Sequence, residues 1–149
     1  MSGLVPEFGE RLEGQVYLAR PSAYGLIMDR GRVALVSTPQ GVFLPGGGIE
    51  PGETAIEAAI REIEEECGWV ARVTGELGLA IEHAYSELRR VYWTKPSTFF
   101  LAEIVAETRA IEDDHELRWA TPSEAFRSLK HESHVWAVRQ LQERHDDRA

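Results

Sequence analysis

Residues 44–69 read LPGGGIEPGETAIEAAIREIEEECGW, and the rest of the chain is best understood outward from them. The stretch opens on Gly46-Gly47-Gly48, too rich in glycine for a regular element, so a loop is predicted there. Thr54 with Glu57 three residues on forms a capping box, which starts a helix. Gly68 stands where a left-handed C-terminal cap belongs. Between these two signals Ala55, Ile56, Ala59, Ile60, Ile63 and Cys67 recur at helical spacing and predict one buried stripe.

The glutamates of this helix sit in costly places. Glu62, Glu65 and Glu66 lie at i, i+3 and i+4 and therefore share a face. Like charges so spaced cost about 0.2–0.5 kcal/mol per pair, and the helix C-terminus disfavours anions. A solvated acidic face is one reading of such a cluster. The other is a hard divalent cation such as magnesium, held by one or two carboxylates together with substrate phosphates. The glycines just upstream let backbone groups approach the same face. Local rules broken this openly tend to mark function.

Upstream, residues 1–12 read as a loose arm. Gln15–Arg20 and Ala23–Met28 have strand-like content, and Asp29-Arg30-Gly31 predicts a hairpin turn into Val33–Ser37. Downstream, Val70–Val73, Leu77–His83, Arg90–Trp93 and Thr98–Val105 are predicted strands separated by polar turns. Thr121-Pro122-Ser123-Glu124 is a second capping box, opening a short helix to about Leu129. A last amphipathic helix is predicted over Glu132–Glu143, with Val135, Val138 and Leu141 inward. The order implies an α+β fold, a mixed sheet covered by helices, in a single domain over residues 1–149.

Composition narrows the partners. Sixteen basic against 25 acidic side chains give a net charge of −9, which argues against binding a nucleic-acid polymer by a basic footprint. A small polyanion stays open, because a divalent cation inverts the local field. Cys67 is the only cysteine, so no intrachain disulfide forms, as expected in a reducing compartment. No apolar run resembles a signal peptide or a bilayer span, and a cytoplasmic protein is expected.

From Gly47 the chain runs through five residues to Glu53, seven more, and then Arg61-Glu62-Ile63-Glu64-Glu65-Glu66-Cys67-Gly68-Trp69. This resembles the Nudix signature G-x5-E-x7-R-E-U-x-E-E-x-G-U, with U apolar; Trp69 stands at a site usually aliphatic. The resemblance implies an α/β/α sandwich and hydrolysis of a pyrophosphate bond in a nucleoside diphosphate derivative by magnesium, with manganese as a substitute. It implies that Glu62, Glu65, Glu66 and the Gly46 carbonyl hold the metal, that Arg61 braces the glutamates, and that Glu53 fixes the loop or joins the metal cluster. Pro45, Gly46 and Gly47 would meet the substrate's pyrophosphate. The general base would be Glu65 or an acidic residue of Glu112-Asp113-Asp114-His115-Glu116, with Asp113 and Glu116 as candidates there.

A catalytically silent nucleotide-binding module is the rival reading, and retention of all the box glutamates weighs against it. His83, Tyr85, Arg89, Arg90 and Lys95 fall on a predicted hairpin within reach of a nucleotide, though each also suits ordinary surface. His131 and His134 are expected to cap a helix or face solvent, and Trp119 and Trp136 to pack in the core or at its rim. The resemblance implies a small nucleotide as partner, with the chain expected to be a monomer or homodimer and no membrane involved.

Overall fold

The two-residue turn Arg30-Gly31, with positive φ at both positions (53° and 78°), closes the hairpin between β3 (Ser22–Asp29) and β4 (Arg32–Thr38). That turn matches the right-handed twist of its strands. The structure, a computed structural model, describes residues 4–108 and 115–148, with side chains through residue 144. The other elements are β1 (Glu7–Phe8), β2 (Tyr17–Ala19), β5 (Gly41–Phe43), β6 (Gly46–Gly48), α1 (Ala55–Cys67), β7 (Trp69–Ser86), β8 (Val91–Glu107), β9 (Glu116–Ala120), α2 (Pro122–Ser128) and α3 (Glu132–Arg148). The strands join one mixed sheet along the path β1-β7-β8-β3-β4-β5, with β2 on β8, β6 on β3 and β9 on β4.

Strand alternation sorts side chains to the two faces. Tyr24, Leu26, Val33, Leu35 and Phe99 pack with Ala125, Leu129, Ala137, Val138 and Leu141 of the α2–α3 layer. Their neighbours Ile27, Ala34, Val36 and Ala102 turn the other way onto Ile63 and Cys67 of α1, and Ala23 and Phe100 meet Ala58 and Ala59. Helices cover both faces, as an α/β/α sandwich requires. Gly25 sets how closely α1 approaches: a Cβ there would come 2.7 Å from Ile63 Cδ1.

Several expectations are corrected. Gly46–Gly48 is a strand, paired antiparallel with Ser22–Tyr24. Its glycines exclude nothing; they permit an approach that no side chain allows, since a Cβ at Gly46 would overlap the Ala23 carbonyl. The four downstream strands are two long ones, because β-bulges near Ala71, Gly75 and Gly78 absorb the irregularities that suggested turns. Pro96 fits within β8 because it falls between the register with β2 (Tyr92–Thr94) and that with β3 (Ser97–Ala102). The arm is tied down by Glu7 and Phe8, which pair with Ile81 and Glu82. The buried stripe of α1 is Ala58, Ala59, Ile63 and Cys67, while Ile56 is exposed; alanine at 58 lets the helix lie closer on that side than the spacing of the isoleucines suggested. His131 and His134 are buried, not solvent-facing. β5 and β9 had no counterpart in the expectations.

The ends of α1 and α2 are as expected, whereas α3 runs past the expected end at Glu143 to Arg148. Both capping boxes are complete, and Gly68 adopts φ 71° with its N–H donating to the Glu64 carbonyl. Among the described residues no helix is long and apolar enough to cross a membrane.

Candidate active site

β6 and α1 bring the glycines and the glutamates together. The Gly46 N–H donates to Glu66 Oε1 at 2.8 Å. The Glu62 carboxylate lies so close to the Gly47 Cα that a Cβ there would overlap Oε2. Any residue larger than glycine at 47 displaces that carboxylate. Both glutamates are mostly shielded, with side chains 17% and 14% exposed, whereas Glu65 is 48% exposed. No basic residue stands in the last turn of α1 to offset this charge.

Arg61 ties the arrangement. Its Nε donates to Glu53 Oε2 at 2.6 Å, and Nη2 donates to Glu53 Oε1 at 3.0 Å and to the Gly48 carbonyl at 3.1 Å. Nη1 donates to Glu65 Oε2 at 3.4 Å and lies 3.7 Å from Glu62 Oε2. The bidentate fork fixes position as well as charge. The Glu53 hydrogen bond holds the guanidinium proton above its ordinary strength despite partial burial. Reciprocally, Arg61 and then the Glu50 N–H hold the Glu53 carboxyl below the usual range.

Among the described residues no three His, Cys, Asp or Glu side chains form a ready-made metal cage. Like charges repel, and Glu66 has turned to the Gly46 N–H while Glu62 and Glu65 both face Arg61. The donor chemistry nevertheless fits a hard cation, because Glu62 and Glu66 meet backbone kept bare by glycine, and magnesium needs only one or two carboxylates beside phosphate and water. His115, which the sequence reading passed over in favour of its acidic neighbours, lies 3.5 Å from Glu66 Oε2. Glu116 is exposed and pairs with Ser37 in the sheet. Asp113 lies outside the described residues. The Cys67 thiol is pushed up to about 12 by burial and then by Glu66, so it stays protonated and is no nucleophile.

The family model for the NUDIX domain matches residues 18–142. The chain belongs to the NUDIX family. A bis(5'-nucleosyl)-tetraphosphatase of the asymmetrical type from Sus scrofa is 38% identical over 86 residues, covering 54% of this chain and 56% of the relative. The chain spans about half the length, or less, of the curated relatives it matches. A MutT NUDIX hydrolase from Burkholderia pseudomallei superposes with a TM-score of 0.64 at 26% identity, covering 83% of this chain and 98% of that one. A NUDIX hydrolase from Nitrosomonas europaea reaches 0.69 at 18% identity, over 84% and 89%, and shares the fold.

The NUDIX box is flanked by a buried polar network that the sequence did not signal. Leu44, at its entry, donates its N–H to His134 Nδ1 at 3.2 Å. His134 also packs edge-on to Tyr24, with centroids 4.3 Å apart, and to His131 at 5.2 Å. His131 Nδ1 lies 4.0 Å from Glu82 Oε2, and Glu82 accepts the Ser133 N–H at 2.9 Å. Burial pushes the Glu82 carboxyl up, partly offset by Ser133. Burial, then Lys95 and Lys130, push His131 down to about 3; burial and His131 push His134 well below the ordinary histidine range. Beyond His131 opens a cavity of about 500 Å³, bordered by the β7–β8 hairpin that carries Tyr85, Arg89 and Lys95. His83 is turned away to Glu7 and Thr94, and Arg90, at φ 55°, is an exposed turn residue.

Proposed function

We propose that this NUDIX chain, as one domain, hydrolyses a pyrophosphate bond in a nucleoside diphosphate linked to another moiety. The observation that carries the reading is the meeting of Glu62 and Glu66 with the bare backbone of Gly46 and Gly47. Glu62, Glu65, Glu66 and the Gly46 carbonyl would hold magnesium, or manganese in its place. Such a cation, when bound, neutralises phosphate charge and makes water a better nucleophile. Arg61 holds Glu53, Glu65 and the Gly48 carbonyl in register, so the carboxylates meet substrate already oriented. Pro45, Gly46 and Gly47 border the pyrophosphate, where the absence of side chains allows close approach. Glu65 is the favoured general base, being the most exposed of the three box glutamates and within reach of solvent. The setting proposed is cytoplasmic, with the chain a monomer or homodimer acting on a small nucleotide.

The test is phosphate or nucleotide release from a panel of nucleoside triphosphates, dinucleoside polyphosphates, nucleotide sugars and ADP-ribose, with magnesium and with chelator. Turnover that requires the cation is expected on at least one class. Tight nucleotide binding without turnover on any of them would establish the silent-module reading instead.

Arg61→Ala should lower kcat by about 10²-fold or more, through geometry, since water cannot replace a bidentate brace. Magnesium affinity measured by calorimetry should fall far less than activity. Unchanged catalysis and unchanged affinity would reduce Arg61 to a surface residue.

A further inference from the structure

The chain is strongly acidic overall, at −9, yet among the described residues the cavity beside the box gathers Arg20, Arg89, Lys95 and Lys130 on its walls against one carboxylate, Glu87. Glu82 lies across the sheet from Lys95 and faces the buried network; even with both glutamates counted, the cations outnumber the anions. His131 on the wall adds no charge, since it is held neutral near pH 7. Lys130 Nζ is kept at the rim by donating to the Gln40 carbonyl at 2.8 Å. A concave wall of one sign concentrates oppositely charged ligands, and the volume suits a small molecule.

Two contacts join this cavity to the box. The Arg20 guanidinium lies 3.0 Å from where a Gly48 Cβ would stand, and it covers the Trp93 ring at 5.1 Å. Lys95 Nζ is 5.9 Å from the Tyr24 ring centroid, and Tyr24 abuts Gly46. An anionic chain starting at the glycines would therefore meet Arg20 first and then the wall that carries Lys95, Lys130 and Arg89.

We propose that this cavity receives phosphates beyond the cleaved anhydride, so that the preferred substrates are nucleoside polyphosphates with at least three consecutive phosphates. The inference rests on the hydrolytic reading of the box and narrows it. A diphosphate bridging two organic groups carries about one negative charge per phosphate, which a divalent cation at the box neutralises alone. The cationic wall then has nothing to pair with. Each additional phosphate supplies an anion where Arg20, Lys95, Lys130 and Arg89 stand, and charge-assisted hydrogen bonds there discriminate by chain length.

The experiment compares ATP with ADP-ribose, which share adenosine and differ in phosphate charge, binding to the full chain in excess EDTA. Calorimetry should show ATP bound more tightly by about tenfold or more. Lys95→Gln with Lys130→Gln should erase that preference. Arg89→Gln, on the exposed turn, should reduce it and serves if the double variant melts at a markedly lower temperature. Equal wild-type affinities, or a preference that survives both the double variant and Arg89→Gln, would overturn the proposal. With magnesium restored, kcat/KM should favour ATP or a dinucleoside tetraphosphate over ADP-ribose by a similar factor, and the reverse order would also overturn it. If the binding preference is present but no substrate is turned over, the hydrolytic reading fails while the polyphosphate site stands.

Discussion

Glu66→Gln is expected to lose about 10²–10³ in kcat while the protein keeps its fold. The reason lies in what the substitution leaves intact. Glu66 Oε1 accepts the Gly46 N–H at 2.8 Å, and a glutamine side-chain carbonyl can accept the same bond, so the strand and helix remain joined. Only the charge is removed, and charge is what a divalent cation requires of this side chain. Glu65→Gln should lose a comparable amount, because Glu65 is the favoured base and its interaction with Arg61 is the longest of that residue's hydrogen bonds. Melting supplies a readout independent of turnover. Magnesium held by the native cluster, as proposed, and scarcely by the unfolded chain should raise the wild-type Tm, and Glu66→Gln should shrink that shift. Full activity of both variants on a verified substrate with saturating magnesium, and equal magnesium shifts, would leave the acidic face merely solvated.

Acid should destabilise the protein at pH values above the ordinary carboxylate range. His131 is neutral in the native state down to about pH 3, and His134 is likewise held neutral by complete burial. Unfolded, each titrates near its ordinary value of about 6.5. As pH falls below that value the unfolded chain binds protons that the native state refuses, so stability drops by up to about 1.4 kcal/mol per pH unit for each histidine. Glu82 works the other way: its raised native pKa means the folded state gains a proton first, which offsets part of the loss above the ordinary carboxylate value. Glu53 and Glu124, whose carboxyls are held low by hydrogen bonds, add to the loss only at still lower pH. The histidine effect should therefore dominate between about pH 6.5 and 5. Urea unfolding at several pH values across this interval measures it, and His131→Gln should flatten the slope by about one proton. Identical slopes in wild type and variant would mean that His131 titrates normally in the folded protein. Since His134 Nδ1 must be an acceptor to receive the Leu44 N–H, protonation there also releases the chain entering the box.

What sequence could convey was strongest where the signal is local. Thr54, Glu57 and Gly68 specify both ends of α1 through capping bonds made within a few residues, and the structure has each of them. The box glutamates announced themselves by violating helix electrostatics. The failures share the opposite character. The glycine run became a strand because Ala23 and Tyr24, distant in sequence, offered it a ladder. The two histidines are buried because Tyr24, Phe43 and Phe99 close over them, and no periodicity around residues 131–134 encodes that. Arg20 read as a strand terminus, yet its position over Trp93 and beside Gly48 depends on pairings across three strands.

The Gly25–Ile63 contact carries one more consequence. β3 holds the glycine strand by direct pairing and holds α1 at the distance that a missing methyl group permits, so both halves of the box are measured from the same ruler. The β7–β8 turn at residues 87–90 lies outside that frame, joined to it through the strands it connects and through β2 beside β8. Insertions or exchanges at the turn can therefore reshape what the cavity admits without shifting the carboxylates by a fraction of an ångström. A methyl group added at position 25, by contrast, presses on the buried tip of Ile63 and so is felt on the helix that carries the box carboxylates.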